Sequence, residues 1–129
     1  MIDSTTALIT YLKTKTSLTT IVGTKIYSPR LPEGFAVNQA VTLIVRGGET
    51  ELNVDIIKPS YQFKCWGSTP IEARAVYRAL ADVMNEIKNQ TVGSAYIYEA
   101  IEETHGQDLI DPDTEWFYTL AFFEITCRR

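Results

Sequence analysis

The sequence predicts an α+β fold, with an antiparallel sheet of four to five strands and a long helix and an N-terminal helix packed on one face. Three observations carry that prediction. A strongly capped amphipathic segment begins at Thr69, several short segments alternate apolar and polar residues, and the connections between those segments are mostly of hairpin type. With 129 residues, the chain is expected to form one domain spanning residues 1–129, without internal repeat or linker. A chain of this size buries roughly two-thirds of its unfolded surface, so its core requires no disulfide or metal staple.

Ser4 is placed to cap a first helix over about Thr5 to Lys13, with Leu8, Tyr11 and Leu12 at helical spacing and Lys13 near the C-terminal end, where the helix dipole favours a cation. Leu18, Ile21 and Val22 share a face of a second short helical turn, which Gly23 can end in a left-handed conformation. A brief strand over Lys25 to Tyr27 leads into a loop, SPRLPEGFAVNQ, where Pro29, Pro32 and Gly34 forbid regular structure. The following segment, VTLIVRGGETELNVDI, reads as a long, projecting β-hairpin with Gly47-Gly48 as its tight turn. Ser60 to Gly67 is a strand with Tyr61, Phe63 and Cys65 on the buried face and Gln62, Lys64 and Trp66 on the other.

The clearest element is the next helix, about Pro70 to Lys88. Thr69 and Glu72 have capping-box spacing, Pro70 suits the first helical position, and Ala73, Val76, Tyr77, Leu80, Met84 and Ile87 form one apolar stripe. A strand is expected over Ala95 to Thr104, then a loop, HGQDLIDPD, then a strand over Glu115 to Arg128 that is apolar on both faces. Helices can cover one of those faces. The other calls for a partner outside the chain.

Charge is unevenly distributed: residues 99–115 hold seven carboxylates and no Lys or Arg, while the whole chain has a net charge of −4. The basic stripe of a tight nucleic-acid binder is missing, which argues against sequence-specific DNA or RNA recognition. No stretch approaches the roughly 20 apolar residues of a membrane helix. The N-terminus carries Asp3 and lacks a basic region before its apolar stretch, so it does not read as a secretory signal. Cys65 and Cys127 stand in separate strands with no ligand-type spacing and read as reduced, partly buried thiols.

No catalytic, cofactor or metal site is expected. The single histidine, His105, lies near Glu102, Glu103 and Asp108, but their spacings do not converge, and a solvated acidic loop explains them. GxSxG, GxGxxG and GxxxxGK[ST] are all missing. Arg74 and Arg78 read as part of a solvated helix face. Trp66, Trp116, Tyr96, Tyr98 and Tyr118 fall opposite the expected core, and several such aromatics together suggest an interaction surface.

The order of segments resembles the small tail-completion proteins, or tail terminators, of long-tailed bacteriophages. The resemblance rests on an amphipathic N-terminal helix running into LTTIVGTKIYSPRLPEG, a strand VTLIV, a strand YQFKCWG followed at once by STPIEARAVYRAL, and a final strand after DLIDPDTEWFYTLAFFEI. It spans about residues 5–127 and rests on turn and hydrophobic positions, with no catalytic signature. It implies a structural virion protein, assembled in the cytoplasm of a bacterial host, that forms a hexameric ring at the head–tail joint. Such a ring caps the tail tube, stops its polymerisation and meets a head-completion or stopper protein. DNA slides through it without specific binding, which favours a near-neutral or acidic channel. Subunit contacts are expected from Pro29, Arg30 and Pro32 of the loop, from Arg46, Gly47, Gly48, Glu49, Glu51 and Asp55 of the hairpin, and from Trp116 and Tyr118 of the last strand. The alternatives are a head-completion or adaptor ring at the same joint, or a small ligand-binding or enzymatic α+β module.

Overall fold

The computed structural model describes residues 1–36, 38–51 and 54–129. Val37, in the expected loop, and Leu52 and Asn53, in the expected hairpin, lie outside the described residues. The elements are α1 (Ser4–Lys13), α2 (Thr16–Val22), β1 (Ile26–Tyr27), β2 (Ala40–Thr50), β3 (Ile56–Gly67), α3 (Pro70–Asn85), β4 (Lys88–Val92), β5 (Ala95–Ile110) and β6 (Phe117–Arg128). They form one six-stranded mixed sheet in the order β1-β2-β3-β6-β5-β4, curled into a half-barrel and accompanied by three helices.

This architecture corrects the expected four to five antiparallel strands in two places. The chain leaves β1, makes a loop and returns as β2 in the same direction, so Ile26 pairs with Val41 and Tyr27 with Thr42 in parallel. The extra edge strand, β4, is the polar segment KNQTV: Lys88 is the expected end of the long helix, and the residues after it carry no apolar pattern that would mark a strand. That helix ends at Asn85, three residues short of the expected Lys88, because Ile87 turns into the core and Asn89 takes a positive φ of 50° at the start of β4.

Local chemistry accounts for the helix starts. Thr69 caps α3 by accepting from the Glu72 N–H at 3.2 Å, and Pro70 opens the helix. At α1 the cap is Asp3, one residue before the expected Ser4: its carboxylate accepts from Thr6 N–H and Oγ1 at 3.2 and 2.6 Å. Those two bonds hold the Asp3 carboxyl below its ordinary pKa. Ser4 instead reaches the Tyr61 hydroxyl at 2.6 Å and ties α1 to the sheet.

The six residues of the expected apolar stripe are all buried, and Val76, Tyr77, Leu80 and Met84 of α3, with Ile87 just beyond it, pack with Leu8, Leu12, Leu18, Leu43, Tyr61, Phe63, Phe123 and Ile125 in one cluster. Phe63 and Phe123 meet edge to face at 5.5 Å. Cys65 and Cys127 are buried free thiols within this core, and burial raises the pKa of both, that of Cys127 to about 11.

Gly47-Gly48 is not the hairpin turn. β2 runs on to Thr50, and the two glycines lie at a register shift in which Gly48 pairs with Pro59, Glu49 with Lys58 and Thr50 with Ile57. A Cβ on Gly48 would lie 2.2 Å from the Lys58 carbonyl oxygen, so the second glycine is required by backbone approach as well as by its φ of 134°. The hairpin does not project freely either. Its second strand pairs with β6 from Ile56 opposite Arg128 to Gly67 opposite Phe117, and the Arg129 N–H donates to the Asp55 carbonyl at 3.1 Å.

Candidate assembly surface

Strand alternation divides the sheet into a face under the helices and a face without them. On the helix-free face, β2 contributes Ile44 and Arg46, β3 contributes Ser60, Gln62, Lys64 and Trp66, and β6 contributes Tyr118, Leu120, Phe122 and Glu124. At one end of this face lies a groove of about 400 Å³. Its walls include Pro29, Arg30 and Leu31 from the loop, Ile44, Gln62, Lys64 and Trp66 from the sheet, and Asp111, Thr114 and Trp116 from the turn before β6.

The aromatic residues expected to be exposed on this face largely cover one another. Trp66 is 7 % exposed, lies tilted against Tyr118 at 4.9 Å between ring centroids, meets Trp116 edge-on at 6.3 Å and donates its indole N–H to Thr42 Oγ1 at 3.1 Å. The Pro/Gly loop adds Phe35, which contacts both Trp116 and Tyr27. Tyr96 and Tyr98, near the other end of β6, pair with each other at 4.9 Å, with the Arg128 guanidinium over Tyr96. The second apolar face of β6 is therefore covered in part by the chain itself.

Cations sit on these rings. The Lys64 ammonium lies 4.9 Å from the Tyr118 centroid, and the Arg46 guanidinium lies 4.0 Å from that of Phe122. Arg46 also donates Nε to Ser60 Oγ at 2.8 Å and approaches Glu103 at 3.4 Å, while the Ser60 hydroxyl donates to Glu103 at 2.5 Å. Arg46, Ser60 and Glu103 thus link β2, β3 and β5 across the helix-free face.

The eleven residues expected at the interface fall into separate places. Pro29, Arg30 and Trp116 meet at the groove, and Tyr118 joins them through the aromatic cluster. Pro32 lies in the exposed loop, where its carbonyl accepts from Phe35 N–H at 3.2 Å. Arg46, Gly47, Gly48, Glu49, Glu51 and Asp55 follow the hairpin away from the groove, and Glu51 pairs with Lys58 at 3.0 Å. That contact raises the Lys58 pKa. Ile44, Gln62 and Lys64 were not singled out by sequence, although their alternation with core residues already places them beside Trp66.

On the helix face, β5 continues through the segment expected to be a loop after His105. Its regular pairing with β6 shifts at three points, which is why the alternation fades there. The Tyr77 hydroxyl of α3 donates to Glu102 and lies 3.2 Å from His105 Nδ1, and Arg74, expected to be solvated, pairs with Asp108 at 2.6 Å. Burial, with the Glu102 contact, raises the Tyr77 pKa to about 12. Among the described residues no group of three His, Cys, Asp or Glu side chains is arranged to hold a metal, and no helix is long and apolar enough to cross a membrane.

No family model matches this sequence, and no curated protein matches it. Among solved structures, the fold is similar to that of a chain in the virion of a native gene transfer agent (GTA) particle, with a TM-score of 0.71. The likeness covers 92 % of this chain and 90 % of that one at 13 % sequence identity, which establishes a shared fold.

Proposed function

We propose that this chain is a structural protein of a phage-like virion, and that within it the chain acts as a tail terminator. Six copies form a ring that caps the tail tube, stops its polymerisation and presents the surface to which the head joins. The observation that carries this reading is the fold likeness, nearly end to end in both chains, to a chain of a gene transfer agent virion. The segment order quoted above supports it independently. On this reading the partners are further copies of the chain, the tail tube protein on one side and a head-completion or stopper protein on the other. DNA passes through without specific binding, consistent with a net charge of −4. The chain has no catalytic role in this scheme.

The test is electron microscopy of particles assembled without this chain. Abnormally long tails that remain unjoined to filled heads are expected. Tails of normal length that fail only to join would assign the chain to a head-completion ring. Normally joined particles at full yield would remove it from the joint.

A further inference from the structure

Beyond β1 the edge of β2 is open, and it has a cleft on each of its two faces. β1 ends at Tyr27, opposite Thr42. The Val41 N–H donates to the Lys25 carbonyl at 2.9 Å, and β2 pairs with β3 without a break from Val41 to Val45, so by alternation Val45 turns its N–H and C=O to the same side, past the end of β1. Among the described residues no backbone group bonds to Val45 on that side. Ile44 and Val45 are each 42 % exposed there. An unpaired strand edge of this kind is a template for a further strand.

From this edge and its two clefts we infer a docking site for an extended segment of a partner protein, which adds to the sheet as a strand opposite Ile44 and Val45. The inference goes beyond the ring reading and does not depend on it. In strand addition the main-chain bonds supply affinity, and pockets for alternate side chains supply selectivity. Both are found at this edge. Val45 pairs within the chain with Tyr61 on the helix-bearing face, where a cleft of about 290 Å³ is lined by Met1, Ile2, Val45, Ile57 and Pro59. Ile44 pairs with Gln62 on the helix-free face, where both line the groove of about 400 Å³. Successive side chains of an added strand point to opposite faces, so they enter these two seats in turn.

The chemistry of the seats defines the segment. Met1, Ile2, Val45 and Ile57 make the helix-side cleft a place for an aliphatic side chain. The groove carries Arg30 and Lys64, neither of them ion-paired among the described residues, against one carboxylate, Asp111, which accepts from Thr114 Oγ1 at 2.6 Å. That excess of positive charge selects a carboxylate-bearing side chain on the groove side. The segment therefore alternates aliphatic and acidic residues. A second copy of the chain does not offer this from its own open edge, the part of β5 beyond Glu99. Val45 is level, through Tyr61 and Phe123, with Glu102, so a copy related by rotation about an axis along the strands would set the carboxylate that accepts from Tyr77 against the apolar cleft.

The test is titration of the isotope-labelled full chain with a short end-capped peptide alternating valine and glutamate, followed by amide NMR and hydrogen exchange, with native mass recorded alongside. Saturable binding below about 1 mM is expected, with exchange of the Val45 amide slowed at least tenfold and that of the Val41 amide, already bonded to Lys25, unchanged. The same peptide N-methylated at its central valine, or with lysine in place of glutamate, should bind at least tenfold more weakly. Lys64→Glu should weaken the glutamate peptide by a similar factor and restore binding of the lysine peptide. Failure to bind at millimolar peptide, binding that leaves Val45 exchange unchanged, or equal binding of the N-methylated peptide would overturn strand addition at this edge. Equal binding of the glutamate and lysine peptides would overturn the acidic assignment. A Val45 amide already protected in a peptide-free dimer would show that a second copy takes the edge, and would overturn the partner strand.

Discussion

Replacing Gly48 with alanine separates a bulge packed on β3 from a solvated turn. Two costs combine at this position. At a φ of 134° a side chain is strained, at about 1–3 kcal/mol. The added Cβ would also lie 2.2 Å from the Lys58 carbonyl oxygen and 2.8 Å from the Pro59 Cα, both backbone atoms that cannot rotate away, and overpacking of this kind costs about 1–3 kcal/mol more. Gly47 is the internal control. Its φ is 108° and nothing lies within 4 Å of its added Cβ, so Gly47→Ala carries only the strain. Gly48→Ala should therefore unfold about 1–3 kcal/mol more easily than Gly47→Ala. In a chain of this length that is a difference in melting temperature of roughly 4–11 °C. Urea unfolding followed by tryptophan fluorescence supplies the free energies, and thermal scans supply the midpoints. Equal losses for the two variants, or a loss below about 1 kcal/mol for Gly48→Ala, would refute the bulge.

Leu80→Ala should cost about 2–5 kcal/mol, because Leu80 is fully buried between α3 and the sheet; an equilibrium unfolding loss below about 1 kcal/mol would mean that α3 packs on another face. His105→Ala should change stability by less than about 0.5 kcal/mol in urea unfolding, since the ring is exposed and Glu102 still accepts from Tyr77. The Tyr77 hydroxyl has a folded pKa raised from 10.0 to about 12, so its contribution is complete below pH 10 and is lost as pH rises toward 12. Tyr77→Phe should therefore flatten the fall in thermal stability over that window, with Tyr11 and Tyr61, also raised by burial, supplying the remaining slope. An unchanged slope in melting temperature against pH would contradict that assignment.

Where physical signals reinforce one another, sequence and structure agree. Thr69, Pro70 and Glu72 mark the start of α3, and its apolar stripe leaves one inward face, so that helix was readable to within a few residues at its end. Strands were readable where they alternate over a single core, as in Tyr61, Phe63 and Cys65. The misses share a cause, since β4 and the C-terminal half of β5 are polar and draw their order from neighbouring strands. Periodicity registers burial, and an edge strand buries little. Gly47-Gly48 misled for a related reason: a bulge and a tight turn both require positive φ, and only pairing with Lys58 and Pro59 distinguishes them. At the candidate surface, residue types revealed a set of aromatics opposite the core. They did not reveal that Trp66, Trp116 and Tyr118 would be gathered under the Pro/Gly loop, because that contact joins segments distant in sequence.

The central claim, that the chain ends growth of a tail tube, is tested most directly by timed addition of the purified protein to tail tubes polymerising in an extract that lacks it, with tube lengths measured by electron microscopy. Addition during growth should arrest elongation within minutes, leave a ring of density at one end of each tube and restore joining when filled heads are supplied. Tubes that keep lengthening at the rate of an untreated extract, with no added density at either end, would contradict it.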